Sequence, residues 1–275
     1  MSALHFQGAG FTYPGSPAPA LHDCSLRAEA GRVTWLTGAL GAGTSTALLV
    51  AAGLAPGHTG GDRTGVVRTL GEDPARPSSR AALGGRVALV LSSPATQLSG
   101  IAETVAQEVA FAPANLGWPR ARIQSRVTDA MDALHVTHLA DRDPGTLSGG
   151  EMQRTVIAAM LVLEPELWLL DEPTSALDAA GRALVHGMMR REATRGAAVV
   201  IASEDADGLL AVADQLIVFA HGRPALDGPP RGILEGDQVW SAGAASTAIA
   251  GLARAVGSVA PYPLTVDEGV ARWAR

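Results

Sequence analysis

The chain has 275 residues, 47% of them hydrophobic and 17% charged, with a formal net charge of −6. That length fits one large α/β domain with an extension, or one domain with a small second one, and the composition is too apolar for a disordered chain. The acidic balance weighs against a nucleic-acid partner, which needs a basic face.

All 21 basic residues are arginines and no lysine occurs. With this bias, arginine in place of lysine carries little meaning, whereas threonine in place of lysine still does. The single cysteine, Cys24, excludes an internal disulfide and suits a reducing cytosol. No secretory pattern is read at the N-terminus. The longest apolar run, residues 47–55, is about half of the ~20 residues a membrane span needs, so a membrane role is expected only through a partner.

In chain order, residues 4–6 and 10–13 read as β-structure, followed by a Pro/Gly turn over 14–19. Cys24, Leu26 and Ala28 alternate with Ser25, Arg27 and Glu29, the period of a half-buried strand. Gly31-Arg32 turns the chain into a short buried strand, 33–37, and a Gly-rich loop then leads to an apolar helical run, 45–54. Residues 87–91 predict another strand. From Gln97 to about Leu163 the pattern is helical, with breaks at Pro113, Gly117-Trp118-Pro119 and Asp143-Pro144-Gly145, as for a helical subdomain inserted in an α/β core. Buried strands are predicted at 167–170, 198–202 and 215–219, with a helix over 179–194. Beyond about Pro230 small residues dominate, and 231–275 reads as an appended tail. Its last helix opens on Thr265-Val266-Asp267-Glu268, with capping-box spacing and with Val270 and Trp273 on one face.

Gly38-Ala39-Leu40-Gly41-Ala42-Gly43-Thr44-Ser45-Thr46 has the GxxxxGK[ST] frame with threonine at the lysine position. Its glycines let backbone N–H groups turn onto phosphate oxygens, and the following helix offers its positive end. Thr46 is expected to place its hydroxyl on Mg²⁺. Alone, the loop is also compatible with an ordinary Gly/Ala turn. The strand at 167–170 ends in Asp171-Glu172, which suits a Mg²⁺ ligand and a carboxylate beside an attacking water, although acidic strand ends are common. Other features have blander readings. His135 and His138, three apart on a predicted helix, lack the companions of a metal site; Trp35 and Trp168 read as core; Arg190-Arg191 reads as a solvated helix end.

Leu147-Ser148-Gly149-Gly150-Glu151-Met152-Gln153-Arg154, followed by Asp171-Glu172-Pro173-Thr174-Ser175-Ala176-Leu177-Asp178, resembles the signature and the Walker B/D-loop of ABC ATPases. The resemblance covers about residues 4–230. It implies an α/β fold with a RecA-like P-loop NTPase core, an antiparallel β-subdomain and an inserted helical (signature) subdomain. The ATPase domain would occupy 1–230 and the helical subdomain about 97–163. It further implies that two subunits close head to tail with ATP and Mg²⁺ between one chain's glycine loop and the other's signature. On that scheme Tyr13 stacks on adenine, Gly38, Gly41, Ala42, Gly43, Thr44, Ser45 and Thr46 hold the phosphates, and Thr46 and Asp171 hold the metal. Glu172 is then the catalytic carboxylate, Ser148, Gly149 and Gly150 contact the partner's γ-phosphate, and Asp178 crosses the interface.

Gln97-Leu98 and the run from Val109 to Pro119 resemble the segment after the Q-loop in energy-coupling-factor (ECF) importers, which take up vitamins or cobalt and nickel ions. Residues 261–265 are similar to their C-terminal segment, and Gln97 would face the coupling groove or merely cap a helix. The resemblance implies a place on the cytoplasmic face of the cell membrane. Its partners would be a second ABC ATPase subunit, a transmembrane coupling protein and a substrate-binding membrane protein.

Three positions depart from the pattern: Thr44 replaces the P-loop lysine, Ser92 the Q-loop glutamine and Glu204 the switch histidine. Losing the lysine removes a charge-assisted bond worth ~1.5–3 kcal/mol. A carboxylate about 5 Å from the phosphates costs about 3 kcal/mol per unit charge at an effective dielectric of ~20. The expectation is a heterodimer in which this chain's own site is degenerate and its signature completes the partner's competent site. The alternative is a non-hydrolysing pseudo-ATPase acting as scaffold or regulator. A DNA-repair ABC ATPase is disfavoured, since no long coiled-coil insertion interrupts the domain and no basic face is evident.

Overall fold

Alternating burial at the start of the chain builds a small sheet. In the computed structural model, which describes residues 2–273, β1 (Ser2–Thr12) pairs antiparallel with β2 (Leu21–Glu29). Cys24, Leu26 and Ala28 are buried while Ser25 and Arg27 face outward. The two β segments expected at 4–6 and 10–13 are one strand, kept continuous by register shifts around Gly8, whose φ is 56°. β3 (Val33–Gly38) and α1 (Thr44–Ala51) flank the glycine loop, and α2 (Leu54–Gly57) follows. β4 (Asp62–Thr69) then returns to complete a three-stranded sheet in the order β2-β1-β4.

Next come α3 (Ser79–Leu83), β5 (Val87–Val90) and the helices α4 (Val105–Asn115), α5 (Arg120–Ala133) and α6 (Gly149–Leu161). These three helices are the inserted helical subdomain. Pro113 does not break α4: it sits in the last turn, and the chain leaves the helix at Leu116-Gly117 instead. The chain continues through β6 (Leu167–Asp171), α7 (Ala179–Thr194), β7 (Ala198–Ala202), α8 (Ala206–Leu209), β8 (Gln215–Ala220) and β9 (Arg223–Gly228). The second sheet has the order β5-β6-β7-β3-β8-β9, parallel except for the antiparallel edge pair β8–β9. β5, β6, β7, β3 and β8 are short apolar runs, as strands covered on both faces must be.

Short helices close the chain: α9 (Pro230–Leu234), α10 (Gln238–Ser241), α11 (Ala248–Ala255) and α12 (Val266–Trp273). The change of composition near residue 231 is not a break in the core. Leu234, Val239, Ala250, Ala253, Tyr262 and Leu264 are buried in the same cluster as Trp35, Trp168 and Leu170. On α12 the inward residue is Gly269, whereas Val270 and Trp273 are exposed.

Two further expectations change. α5 ends at Ala133, so His135 lies in a turn with φ 53° and His138 in a short 3₁₀ turn, not on one helix. Arg190 is no free helix end: its guanidinium makes paired bonds to the Asp214 carboxylate, which also accepts from the Val33 N–H. α7 is thereby tied to the entrances of β3 and β8. Among the described residues no helix is long and apolar enough to cross a membrane.

Candidate functional site

Parallel register brings three strand ends level: Asp171 of β6 stands beside Ala202 of β7, and Ala202 beside Leu36 of β3. The three loops leaving those ends enclose a cavity of about 170 Å³, lined by the glycine loop with Thr44 and Ser45, by Asp171 and Glu172, and by Ser203 and Glu204. Carboxyl ends of parallel strands are where open α/β sheets bind ligands.

The loop depends on two glycines. A Cβ on Gly38 would lie 2.4 Å from the Phe219 carbonyl oxygen. Gly43, with φ 107°, would bring one to 2.8 Å from the Ala20 carbonyl oxygen. Only glycine accepts both the close approach and the left-handed backbone. Gly43 also caps α1, with no side-chain cap, and the first intrahelical bond runs from the Ala47 N–H to its carbonyl. The N–H groups of Thr44, Ser45 and Thr46 therefore have no partner inside the helix, and such a terminus suits an anion.

Ser45 Oγ donates to Asp171 Oδ1 at 2.9 Å. Thr46 does not reach Asp171; its hydroxyl shares a hydrogen bond with the Tyr13 hydroxyl at 3.2 Å. Consecutive helical residues point about 100° apart, so only one of the two can face the strand end. The hydroxyl beside the carboxylate is that of Ser45, a correction to the expectation for Thr46. Tyr13 is also held edge-on against Phe11, centroids 4.8 Å apart.

Glu172, at φ 46°, is pinned from the neighbouring loop. Its two oxygens accept from the Ser203 hydroxyl and the Glu204 N–H, each at 3.0 Å. The Ser203 carbonyl in turn accepts from Trp35 Nε1 at 2.8 Å. Burial raises the Asp171 carboxyl above its ordinary range, with the Ser45 bond acting against it. Burial also raises Glu172; the two donors oppose this, while the charges of Glu204 and Asp171 add to it.

Three lining residues, Asp171, Glu172 and Glu204, are acidic, and no lining residue is basic. Ser45 and Asp171 supply hard oxygens that suit Mg²⁺, and the open end of α1 suits phosphate, so the residues fit a magnesium nucleotide held without a protein cation. Thr44 and Glu204 meet in the cavity. Ser92 does not: it is exposed in the loop after β5 and lines no part of it.

Gln97 clamps the end of β5, donating to the Leu89 carbonyl and accepting from the Leu91 N–H. It also lines a separate, mainly apolar cavity of about 430 Å³ with Leu54, Leu83, Leu89 and Met160.

The signature residues gather elsewhere. Ser148 caps α6 in a reciprocal capping box with Glu151. A Cβ on Gly150 would sit 3.2 Å from the Ala176 carbonyl oxygen, so this helix start lies against the loop before α7. Asp178 caps α7, accepting from the Gly181 N–H at 2.8 Å. Ser148, Gly149 and Asp178 are exposed, and none of these residues lines the cavity.

The roles of Ser45, Ser203 and Trp35 go beyond what the sequence reading assigns them. Ser45 occupies the [ST] place of the loop motif, and a buried indole N–H usually finds a partner, as that of Trp35 does. Nothing local marks Ser203 except its place beside the switch position.

Glycine loop, acidic strand end and strand order define a P-loop nucleotide-binding protein. The profile of the family described as "ABC transporter" matches residues 21–175, and the chain belongs to the ABC transporter family. It is 36% identical over 84% of its length to the nickel import ATP-binding protein NikO of Rhodobacter capsulatus, covering 91% of that protein. It is equally identical to a putative ABC transporter ATP-binding protein of Methanosarcina mazei, of whose length it spans 39%. Among solved structures it is similar to CbiO1 of Clostridium perfringens, described as part of the ABC transporter complex CbiONQ. The TM-score there is 0.73 at 26% identity, over 86% of this chain and 92% of that one.

Proposed function

We propose that the chain is the ATP-binding subunit of an ECF-type importer of a small micronutrient, nickel or cobalt ions or a vitamin. It would sit on the cytoplasmic face of the membrane. Its own glycine-loop site is weak in hydrolysis, and its signature face completes the site of a second, competent ATPase subunit. Similarity to NikO and CbiO1 supports the importer class. One observation carries the division of labour: the chain's own cavity holds three carboxylates and Thr44 but no cation, whereas Ser148, Gly149, Gly150 and Asp178 form an intact face outside it.

Bound Mg²⁺ would neutralise phosphate charge. The chain's residues can still bind: the open end of α1 receives phosphate, Ser45 and Asp171 hold the metal, and Tyr13 flanks the base. Glu172 can orient a water, yet Thr44 cannot bridge the phosphates and Glu204 adds negative charge where charge must be stabilised. The apolar cavity beside Gln97 is the place for the transmembrane coupling protein.

The test is ATP turnover by the complex copurified from detergent-solubilised membranes. Ser148→Arg is expected to lower it at least about tenfold, and Thr44→Lys to change it less than about twofold, since the interaction lost with Ser148 is made to the reacting phosphate. Full activity in Ser148→Arg together with a large gain in Thr44→Lys would show the reverse assignment. Copurification with no membrane protein, and no turnover with any second ATPase, would favour the scaffold reading.

A further inference from the structure

We infer that this chain's cavity selects nucleoside diphosphates over triphosphates, and that Glu204 sets the preference. The inference rests on the nucleotide-site reading above. The backbone elements that hold the first two phosphates are intact: Gly38, Gly41 and Gly43 shape the loop, and the unpartnered N–H groups of Thr44, Ser45 and Thr46 open onto it. What lies beyond them, at the ends of β6 and β7, is negative.

Glu172 cannot swing aside, because Ser203 Oγ and the Glu204 N–H hold both its oxygens at 3.0 Å. Glu204 sits on the same rim; among the described residues its carboxylate accepts no hydrogen bond and joins no ion pair. Thr44, from the loop side, brings a hydroxyl and no charge. A third phosphate adds negative charge against these carboxylates with no protein cation to receive it. Of the carboxylates only Glu204 is both exposed and unbonded, so its charge can be removed without disturbing the hydrogen bonds of Asp171 or Glu172.

The measurement is displacement of a fluorescent nucleotide from the purified full-length chain at fixed free Mg²⁺. Competitors are ADP, ATP and a triphosphate with a non-hydrolysable β–γ bridge, which keeps turnover from converting one ligand into another. ADP is expected to bind about tenfold more tightly than either triphosphate, the ratio shrinking as added salt screens the charge. Glu204→Gln should bring the ratio close to one by tightening the triphosphates while ADP changes little. Glu204→His should do the same, and melting curves of both variants establish that the fold is intact. Equal or tighter triphosphate binding by the unaltered chain overturns the inference, as does a ratio that Glu204→Gln leaves unchanged; either result leaves the nucleotide-site reading in place. If no nucleotide displaces the probe from the unaltered chain or from Thr44→Lys, that reading falls and the inference with it.

Discussion

Cys24 lies fully buried on β2, and burial, reinforced by the charge of Asp23, pushes its thiol up to about 12. Since the thiolate is the reactive form, native protein at pH 8 should resist alkylation by iodoacetamide, with complete reaction only in denaturant; intact mass measures both. The two core tryptophans offer a second comparison at this scale. Trp35 donates its indole N–H to the Ser203 carbonyl, whereas Trp168 Nε1 is buried with no partner among the described residues. Trp35→Phe should cost about 1–3 kcal/mol more than Trp168→Phe, because it alone leaves a buried carbonyl unpaired. Urea unfolding of the two variants gives the difference.

Among the elements, the glycine loop and the last helix are held in contrasting ways. The loop depends on backbone space: Gly38→Ala would press a methyl group to 2.4 Å from the Phe219 carbonyl oxygen, which is rigid β8 backbone. That variant should lose nucleotide binding and at least about 1–3 kcal/mol of stability. The last helix is held by charge. Arg231 of α9 bonds Glu268 at 2.7 Å, and Glu268 also accepts from the Leu264 N–H. First the Arg231 bond and then the Leu264 N–H hold the Glu268 carboxyl below its ordinary value of 4.5. A carboxyl depressed in the folded state contributes stability that is present above the unfolded value and lost as pH falls towards the folded one. α12 should therefore loosen below about pH 4.5, and Glu268→Gln should flatten that part of the profile; amide exchange in residues 266–273 reads it.

At the scale of the molecule, residues 231–273 are part of the core and not an appendage. Leu264 is 2% exposed and belongs to the cluster that holds Trp168 and Leu170. Leu264→Ala should lower the stability of a single global transition by about 2–5 kcal/mol. If the tail melted separately, the main transition would stay where it is and the integral-tail reading would fail.

The sequence alone determined the order of the glycine loop, signature and acidic strand end, because each is a local motif whose residue types are demanded by phosphate and charge. It also determined every strand of the parallel core, since strands covered on both faces must be continuous apolar runs. β4 and β9 carry no strand pattern of their own: both have exposed arginines and glycines or a proline, and they are strands only because β1 and β8 lie beside them. The motif frame already put Ser45 at its [ST] place, and the bond to Asp171 agrees with it; tertiary structure alone decided that Ser203 pins Glu172, and that Thr44 and Glu204 share one cavity while Ser92 stays outside it. Which side chains meet across adjacent loops is set by parallel register, which brings together residues 31 apart for Glu172 and Ser203 and 126 apart for Ser45 and Asp171.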